Sequence, residues 1–156
     1  MNQYGKQKVI AYITNQDRLL LFRHTAYPEA GIQVPAGTVE ADEDLGAVVL
    51  REATEESGLH DFSLVSYLGQ RDFEFSRNGD TIRQHRHFFH LILNGDAPET
   101  WLHWEEHPSE GLDDRIEFAF FWVPLFGNLP ALAGAQDAML PELVVSSQKV
   151  MFDLET

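Results

Sequence analysis

The chain contains no cysteine. That excludes a disulfide framework and a thiolate zinc site, and it suits a reducing compartment. Basic residues are also scarce. Eleven Lys and Arg stand against 25 Asp and Glu, for a formal net charge of −14, and the basic residues form no run. A protein that tracks a nucleic-acid backbone carries a basic patch or stripe, so no large nucleic acid is expected as a partner. Nothing approaches the ~20 consecutive apolar residues of a membrane span. The opening MNQYGKQKVIAY lacks the apolar run of a secretory signal. No membrane contact and a cytoplasmic location are therefore expected. What is present is ordinary for a soluble protein: 156 residues, 44% hydrophobic and 23% charged. One domain over residues 1–156 is expected, without repeats or linkers, and a homodimer is compatible with it.

The acidity has one conspicuous concentration. Between Gly37 and Gly58 stand Glu43, Glu52, Glu55 and Glu56, with Arg51 among them. On a helix, Glu55 and Glu56 lie three and four residues past Glu52, so the three carboxylates share one flank. Like charges that close repel. A wheel at about 100° per residue, with Leu45 at zero, puts Val48, Val49, Glu52 and Glu56 within roughly 60° of Leu45. The carboxylates continue the apolar stripe instead of opposing it. They also come late in the helix, where the macrodipole disfavours negative charge. Carboxylates turned inward need partners or a metal, and a hard divalent cation such as Mg²⁺ takes oxygen ligands of this kind.

This stretch resembles the Nudix box, the signature of the Nudix hydrolases. The family pattern is a glycine, five residues, a glutamate, seven residues, then Arg-Glu, an apolar residue, any residue, Glu-Glu, any residue, a glycine and an apolar residue. Gly37, Glu43, Arg51, Glu52, Glu55, Glu56 and Gly58 fill the fixed positions, and Ala53 and Leu59 the apolar ones. The resemblance covers Gly37 to Leu59. It implies an α+β fold, the Nudix α/β/α sandwich, with a mixed sheet and a loop–helix–loop metal site. It implies Mg²⁺ or Mn²⁺ bound by Glu52, Glu55 and Glu56, with the Gly37 carbonyl as a further ligand. Arg51 and Glu43 look like the family's structural pair, with Arg51 orienting the carboxylates. The implied reaction is hydrolysis of a phosphoanhydride in a small nucleoside diphosphate derivative. A nucleotide sugar such as ADP-ribose is favoured on family base rates. A nucleoside triphosphate or dinucleoside polyphosphate, or a non-catalytic nucleotide-binding module, is the alternative. The general base is a box glutamate in some members and a later loop carboxylate in others. Glu105, Glu106, Glu110, Asp113, Asp114 and Glu117 are the later candidates, and Glu55 or Glu106 is favoured.

Elsewhere the pattern predicts strands over Lys8 to Thr14 and Arg18 to His24, joined by a turn at Asn15-Gln16-Asp17. A short extended piece, Ile32 to Pro35, leads into Gly37. The box helix runs from Asp44 to Ser57, ended by Gly58. Strands over Ser63 to Phe75, bent near Gly69, and Thr81 to Leu93 flank an Asn78-Gly79 hairpin. Trp101 to Glu106 reads as extended, His107 to Asp114 as a polar loop, and Ile116 to Val123 as a strand ended by Pro124. A last helix is expected between Ala135 and Val150, with Pro141 in its first turn or breaking it. His85, His87 and His90 suggest zinc, but His90 faces away from the other two on a strand, so structural roles are favoured. Trp101 and Trp104 are candidates to stack on a nucleobase, with packing the favoured role. Arg23 and Arg83 are candidates for phosphate contact. A calcium-binding loop is disfavoured because Val39 and Ala41 interrupt the oxygen-bearing positions.

Overall fold

Two apolar runs set the centre of the molecule. In the computed structural model, which describes residues 5–105 and 116–155, they form β1 (Lys6–Asn15) and β2 (Arg18–His24). Val9 to Thr14 and Leu19 to Phe22 are buried on both faces, as strands covered on two sides must be. Gln16 and Asp17 turn the chain at positive φ (50° and 64°). The two strands pair only at Thr14–Leu19 and Asn15–Arg18. Beyond that they splay, and β3 (Ala36–Val39) enters the gap to pair with Gln7 to Ile10 of β1. The residues before it complete the ladder. Ala11 N–H donates to the Pro35 carbonyl at 2.8 Å, and Phe22 and Gln33 exchange two bonds. These bonds bridge the splay, which brings the Gly37 segment into the middle of the sheet.

The remaining strands are β4 (Phe62–Arg77), β5 (Asp80–Leu93), β6 (Thr100–Glu105) and β7 (Ile116–Pro124). The order is β4-β5-β1-β2-β7-β6, with β3 beside β1. Among the described strands only β1 and β5 run parallel, so the sheet is mixed. Alternation splits its side chains between two layers. Val9, Ala11, Ile13, Phe89 and Leu91 pack on Val48, Val49 and Ala53 of α1 (Leu45–Ser57). Ile10, Tyr12, Leu19, Leu21 and Phe88 pack on Met139 and, in α2 (Leu140–Glu155), Leu143. Each fully buried valine or leucine contributes about 1.5–3 kcal/mol. The expected α/β/α sandwich is the fold.

Most element boundaries follow local chemistry. Asp44 is the N-cap of α1, not its first residue; its carboxylate accepts from Ala47 N–H at 2.9 Å. Gly58 closes the helix at φ 77°. Asn78 and Gly79 turn the β4–β5 hairpin at φ 53° and 85°. The bend foreseen at Gly69 is a register shift between Tyr67 and Gly69. The last helix starts at Leu140, inside the expected Ala135 to Val150 span, and extends past it to Glu155. The preceding residues are engaged elsewhere: Val34 N–H donates to the Gln136 side chain at 2.9 Å and Leu132 N–H to Asp137 at 3.0 Å. Pro141 falls in the first turn, where its missing N–H costs nothing. Among the described residues no helix is long and apolar enough to cross a membrane. The His107 to Asp114 loop lies outside the described residues, and Glu106, Glu110, Asp113 and Asp114 with it.

Candidate active site

Helix α1 lies over the splay between β1 and β2, so its inward face meets the Gly37 segment. The contact is close. A Cβ at Gly37 would stand 2.3 Å from Cδ of Glu52, so only glycine admits the glutamate there. Glu56, buried at 8% exposure, accepts from Ala36 N–H through Oε2 at 2.8 Å. Strand β6 fixes the other end of the helix. Trp101 Nε1–H donates to the Ser57 carbonyl at 2.8 Å, and the His103 Nε2–H donates to the Glu55 carbonyl at 2.8 Å. Both satisfy carbonyls that a helix end leaves unpaired. A Cβ at Gly58 would stand 2.6 Å from His103 Nδ1. Trp101, His103 and Glu105 alternate along one face of β6, so the same clamp delivers Glu105 beside the box glutamates.

Glu52, Glu55, Glu56 and Glu105 line one cleft of ≈ 470 Å³, together with Lys8, Gly37, Arg51 and Arg86. Its electrostatics are unbalanced. Burial, then Glu55, pushes the Glu52 carboxyl up to about 7, with Arg51 and Lys8 opposing. Burial holds Glu56 well above the usual carboxylate range, against the Ala36 N–H, and Glu105 and Glu52 add to the shift. Glu105 is also raised, by burial and then by Glu55. Lys8 is the nearby cation. Burial lowers its pKa, and Glu56 and Glu52 raise it. Its ammonium donates to Thr38 Oγ1 at 3.0 Å. Arg86, 7% exposed, stands on the opposite side of β1 from the splay. It lies 4.0 Å over the Phe73 ring, donates to Gln84 at 3.0 Å and to the Gly134 carbonyl. It forms no ion pair with any described residue. The cleft therefore gathers three carboxylates that favour protons and a fixed guanidinium with no counter-ion among the described residues.

Other foreseen residues take other places. Arg51 is paired with Glu43 at 2.7 Å, and Glu43 also accepts from Glu40 N–H at 2.9 Å. Glu55 is exposed at the rim, as its wheel position some 80° from Leu45 requires. Glu117 turns away and accepts from Thr25 Oγ1 at 2.7 Å. Trp101 stacks on Phe120 with centroids 5.2 Å apart, and Trp104 is 44% exposed on the other face of β6; neither lines the cleft. Arg23 lies 4.6 Å over Phe121 and Arg83 pairs with Glu74 at 2.7 Å. The histidines have separate partners: His85 with Asp72, His87 with Tyr67 and Gln7, His90 with Thr14 and Ser146. Lys8 and Arg86 were not foreseen. Each is a cation two residues ahead of a buried apolar residue on the same strand face, Lys8 before Ile10 and Tyr12, Arg86 before Phe88, and that was the available signal.

The donor chemistry fits a hard divalent cation: oxygen ligands only, excess negative charge, and a glycine carbonyl segment packed on Glu52. Among the described residues no three acidic or imidazole groups already meet as a metal centre. The carboxylates are collected on one wall without closing on a point.

Comparison with known proteins decides the family. The model described as NUDIX domain matches residues 6–143. The chain belongs to this family. A bovine (Bos taurus) protein named diphosphoinositol polyphosphate phosphohydrolase 3-beta is 31% identical over 86 residues, 55% of this chain and 48% of that protein. The chain thus matches about half the length of that curated relative. A MutT NUDIX hydrolase from Burkholderia pseudomallei is 25% identical, with TM-score 0.54, over 89% of this chain and 98% of that one. An ADP-ribose pyrophosphatase from Streptococcus suis shares the fold at 19% identity and TM-score 0.56, over 93% of this chain and 91% of that one. In this Nudix domain the complete box therefore sits on the expected loop–helix–loop, with Gly37 packed against Glu52 and Ala36 N–H bonded to Glu56.

Proposed function

We propose that this Nudix domain hydrolyses a phosphoanhydride bond in a small nucleoside diphosphate derivative, with Mg²⁺ or Mn²⁺. One observation carries the reading: Glu52, Glu56 and Glu105 share a cleft where burial makes all three reluctant to ionise. A fold keeps such a cluster when its charge is neutralised in the working state. Glu52 and Glu56, with the Gly37 carbonyl, would hold the cation, and Glu55 would join from the rim. The chemistry supplied on binding is charge neutralisation of the diphosphate and a lowered pKa for water. Lys8 and Arg86 hold phosphate oxygens from the opposite wall. Glu105 takes the proton from water, its raised pKa bringing it nearer neutral pH; Glu55 is the rival acceptor. Arg51, tied to Glu43, keeps the helix charge in place from outside. A nucleotide sugar such as ADP-ribose ranks ahead of a nucleoside triphosphate, in line with the named activity of one structural neighbour.

The test is turnover across ADP-ribose, other nucleotide sugars, dinucleoside polyphosphates and nucleoside triphosphates, with Mg²⁺ and with Mn²⁺. Hydrolysis of at least one small substrate, stopped by EDTA, is expected. Efficient decapping of RNA at physiological salt, with weak activity on every small nucleotide, would overturn the reading.

A further inference from the structure

One stretch of the cleft lining carries neither the carboxylates nor the cations. It consists of Phe22, His24, Gln33 and Phe118. The sheet explains how they meet. His24 stands beside Phe118 across β2 and β7, and Phe118 beside His103 across β7 and β6. That row crosses to the strand that delivers Glu105. Gln33 stands opposite Phe22, and His24 lies two residues further along β2. Residues two apart share a face, so His24 and Gln33 are diagonal neighbours within reach of one ligand.

Both side chains are unfinished. His24 Nδ1 is shut off from solvent and has no hydrogen-bond partner among the described residues. His85, His87, His90 and His103 each bond at least one group. Burial lowers the His24 pKa, so the ring is neutral, with one donor and one acceptor. A buried N–H without a partner is rare in folded chains, so the proton belongs on Nε2. Gln33 donates through Nε2 to the Ala30 carbonyl at a long 3.4 Å, and its Oε1 accepts from no described residue. Gln136 in the same lining is complete, its Oε1 accepting from Val34 N–H at 2.9 Å. Ring packing is the plain alternative for His24, which meets Phe118 edge-on with centroids 4.9 Å apart. A phenylalanine would pack there without desolvating an unpaired nitrogen. A neutral donor beside a neutral acceptor does not suit phosphate oxygens, for which Lys8 and Arg86 are the matched groups. It suits the polar edge of a nucleobase, where acceptors and N–H donors alternate.

We infer that His24 and Gln33 select the nucleobase of the substrate, His24 donating through Nε2 to an acceptor of the base and Gln33 Oε1 accepting from a base N–H; this rests on the diphosphate reading above, in which cleavage releases a nucleoside monophosphate. Calorimetric titration of the full chain in millimolar Mg²⁺ tests it, with AMP, GMP, UMP, CMP and ribose 5-phosphate as probes. The last keeps the phosphate and the sugar and lacks the base. At least one nucleotide should bind about fivefold or more tightly than ribose 5-phosphate. His24→Phe and Gln33→Ala should each remove most of that preference, with the affinity for ribose 5-phosphate unchanged within about twofold. His24→Gln, whose amide can still donate, should keep part of it. The melting temperature of His24→Phe should hold or rise, because the unpaired nitrogen is gone. Equal affinity for every probe in the wild type would overturn the inference. So would a preference that survives His24→Phe, or an equal loss of affinity for ribose 5-phosphate. A lower melting temperature in His24→Phe with the preference intact would make His24 a packing residue. Base-dependent binding that His24→Phe abolishes, together with no turnover of any diphosphate derivative, defeats the diphosphate reading and keeps the base contact.

Discussion

His90 and Glu56 are both buried polar side chains, one on each face of the sheet, and they differ in completeness. His90 is fully buried. Its Nε2 meets Thr14 Oγ1 and its Nδ1 meets Ser146 Oγ, both at 2.7 Å. A neutral imidazole has one donor and one acceptor, and both are used. Burial brings its pKa down to about 4, so it stays neutral and needs nothing more. Glu56 has one backbone donor, from Ala36, and is crowded by Glu52 and Glu105. The first cluster is finished by the protein alone and ties α2 to the sheet. The second is stabilised only by something added. A satisfied network serves the fold, and an unsatisfied one of this kind marks the place where stability is given up for function.

The largest effect should come from Glu56→Gln. It keeps the shape and an acceptor for Ala36 N–H but removes the charge. Turnover should fall by more than the ~10–100-fold seen when groups outside the ligand set are changed, while the melting temperature in chelator holds or rises. Near-wild-type kcat at saturating Mg²⁺ would remove Glu56 from the site. His90→Ala should do the reverse. It strands two hydroxyls and leaves a cavity, costing about 3 kcal/mol in denaturant unfolding. The kcat of the folded fraction should stay at the wild-type value, and a large kcat loss would erase the distinction between the two clusters.

His103→Ala should act between these extremes. Loss of the bond to the Glu55 carbonyl frees the last turn of α1, at about 1 kcal/mol. The Mg²⁺ concentration for half-maximal activity should rise several-fold. His103→Gln, whose amide can still donate, should restore part of it. Equal Mg²⁺ requirements in all three proteins would mean that β6 does not position the glutamates.

How far the amino-acid pattern alone could go is clear from α1. The wheel put Glu52 and Glu56 inward, and both are, because the period of a helix is set locally by its backbone. Gly58 and the Asn78-Gly79 turn were equally local, each requiring positive φ. The splay of β1 and β2 was not readable, since it depends on which segment fills the gap. Glu105 reached the site only through the pairing of β6 with β7 and its hydrogen bonds to α1. Glu105 was already a candidate, whereas Lys8 and Arg86 were not foreseen, as they are neighbours through the parallel β1–β5 register. The exact start of α2 at Leu140 follows tertiary bonds to Gln136 and Asp137, which no helical propensity describes.

The smallest effect, and the sharpest contrast, is in pH. Glu52 has a folded pKa raised from 4.5 to about 7. The folded state binds the extra proton, so this contribution is full below about 4.5 and is lost as pH rises through about 7. His90 has a folded pKa lowered from 6.5 to about 4. Its contribution is full above about 6.5 and is lost as pH falls through about 4. In chelator, the melting temperature of Glu52→Gln minus that of wild type should therefore grow from about pH 5 to pH 7.5. A flat difference would show that Glu52 ionises there at no cost.

The most direct test of the central claim is the melting temperature of the wild-type chain at about pH 8, in excess EDTA and in millimolar Mn²⁺ or Mg²⁺. A cation that binds only the folded state adds about 2.7 kcal/mol at 100 times its Kd, or roughly 5–10 °C for a chain of this size. The account predicts that rise, and its loss in Glu52→Gln and Glu56→Gln. An unchanged melting temperature at every metal concentration would contradict it.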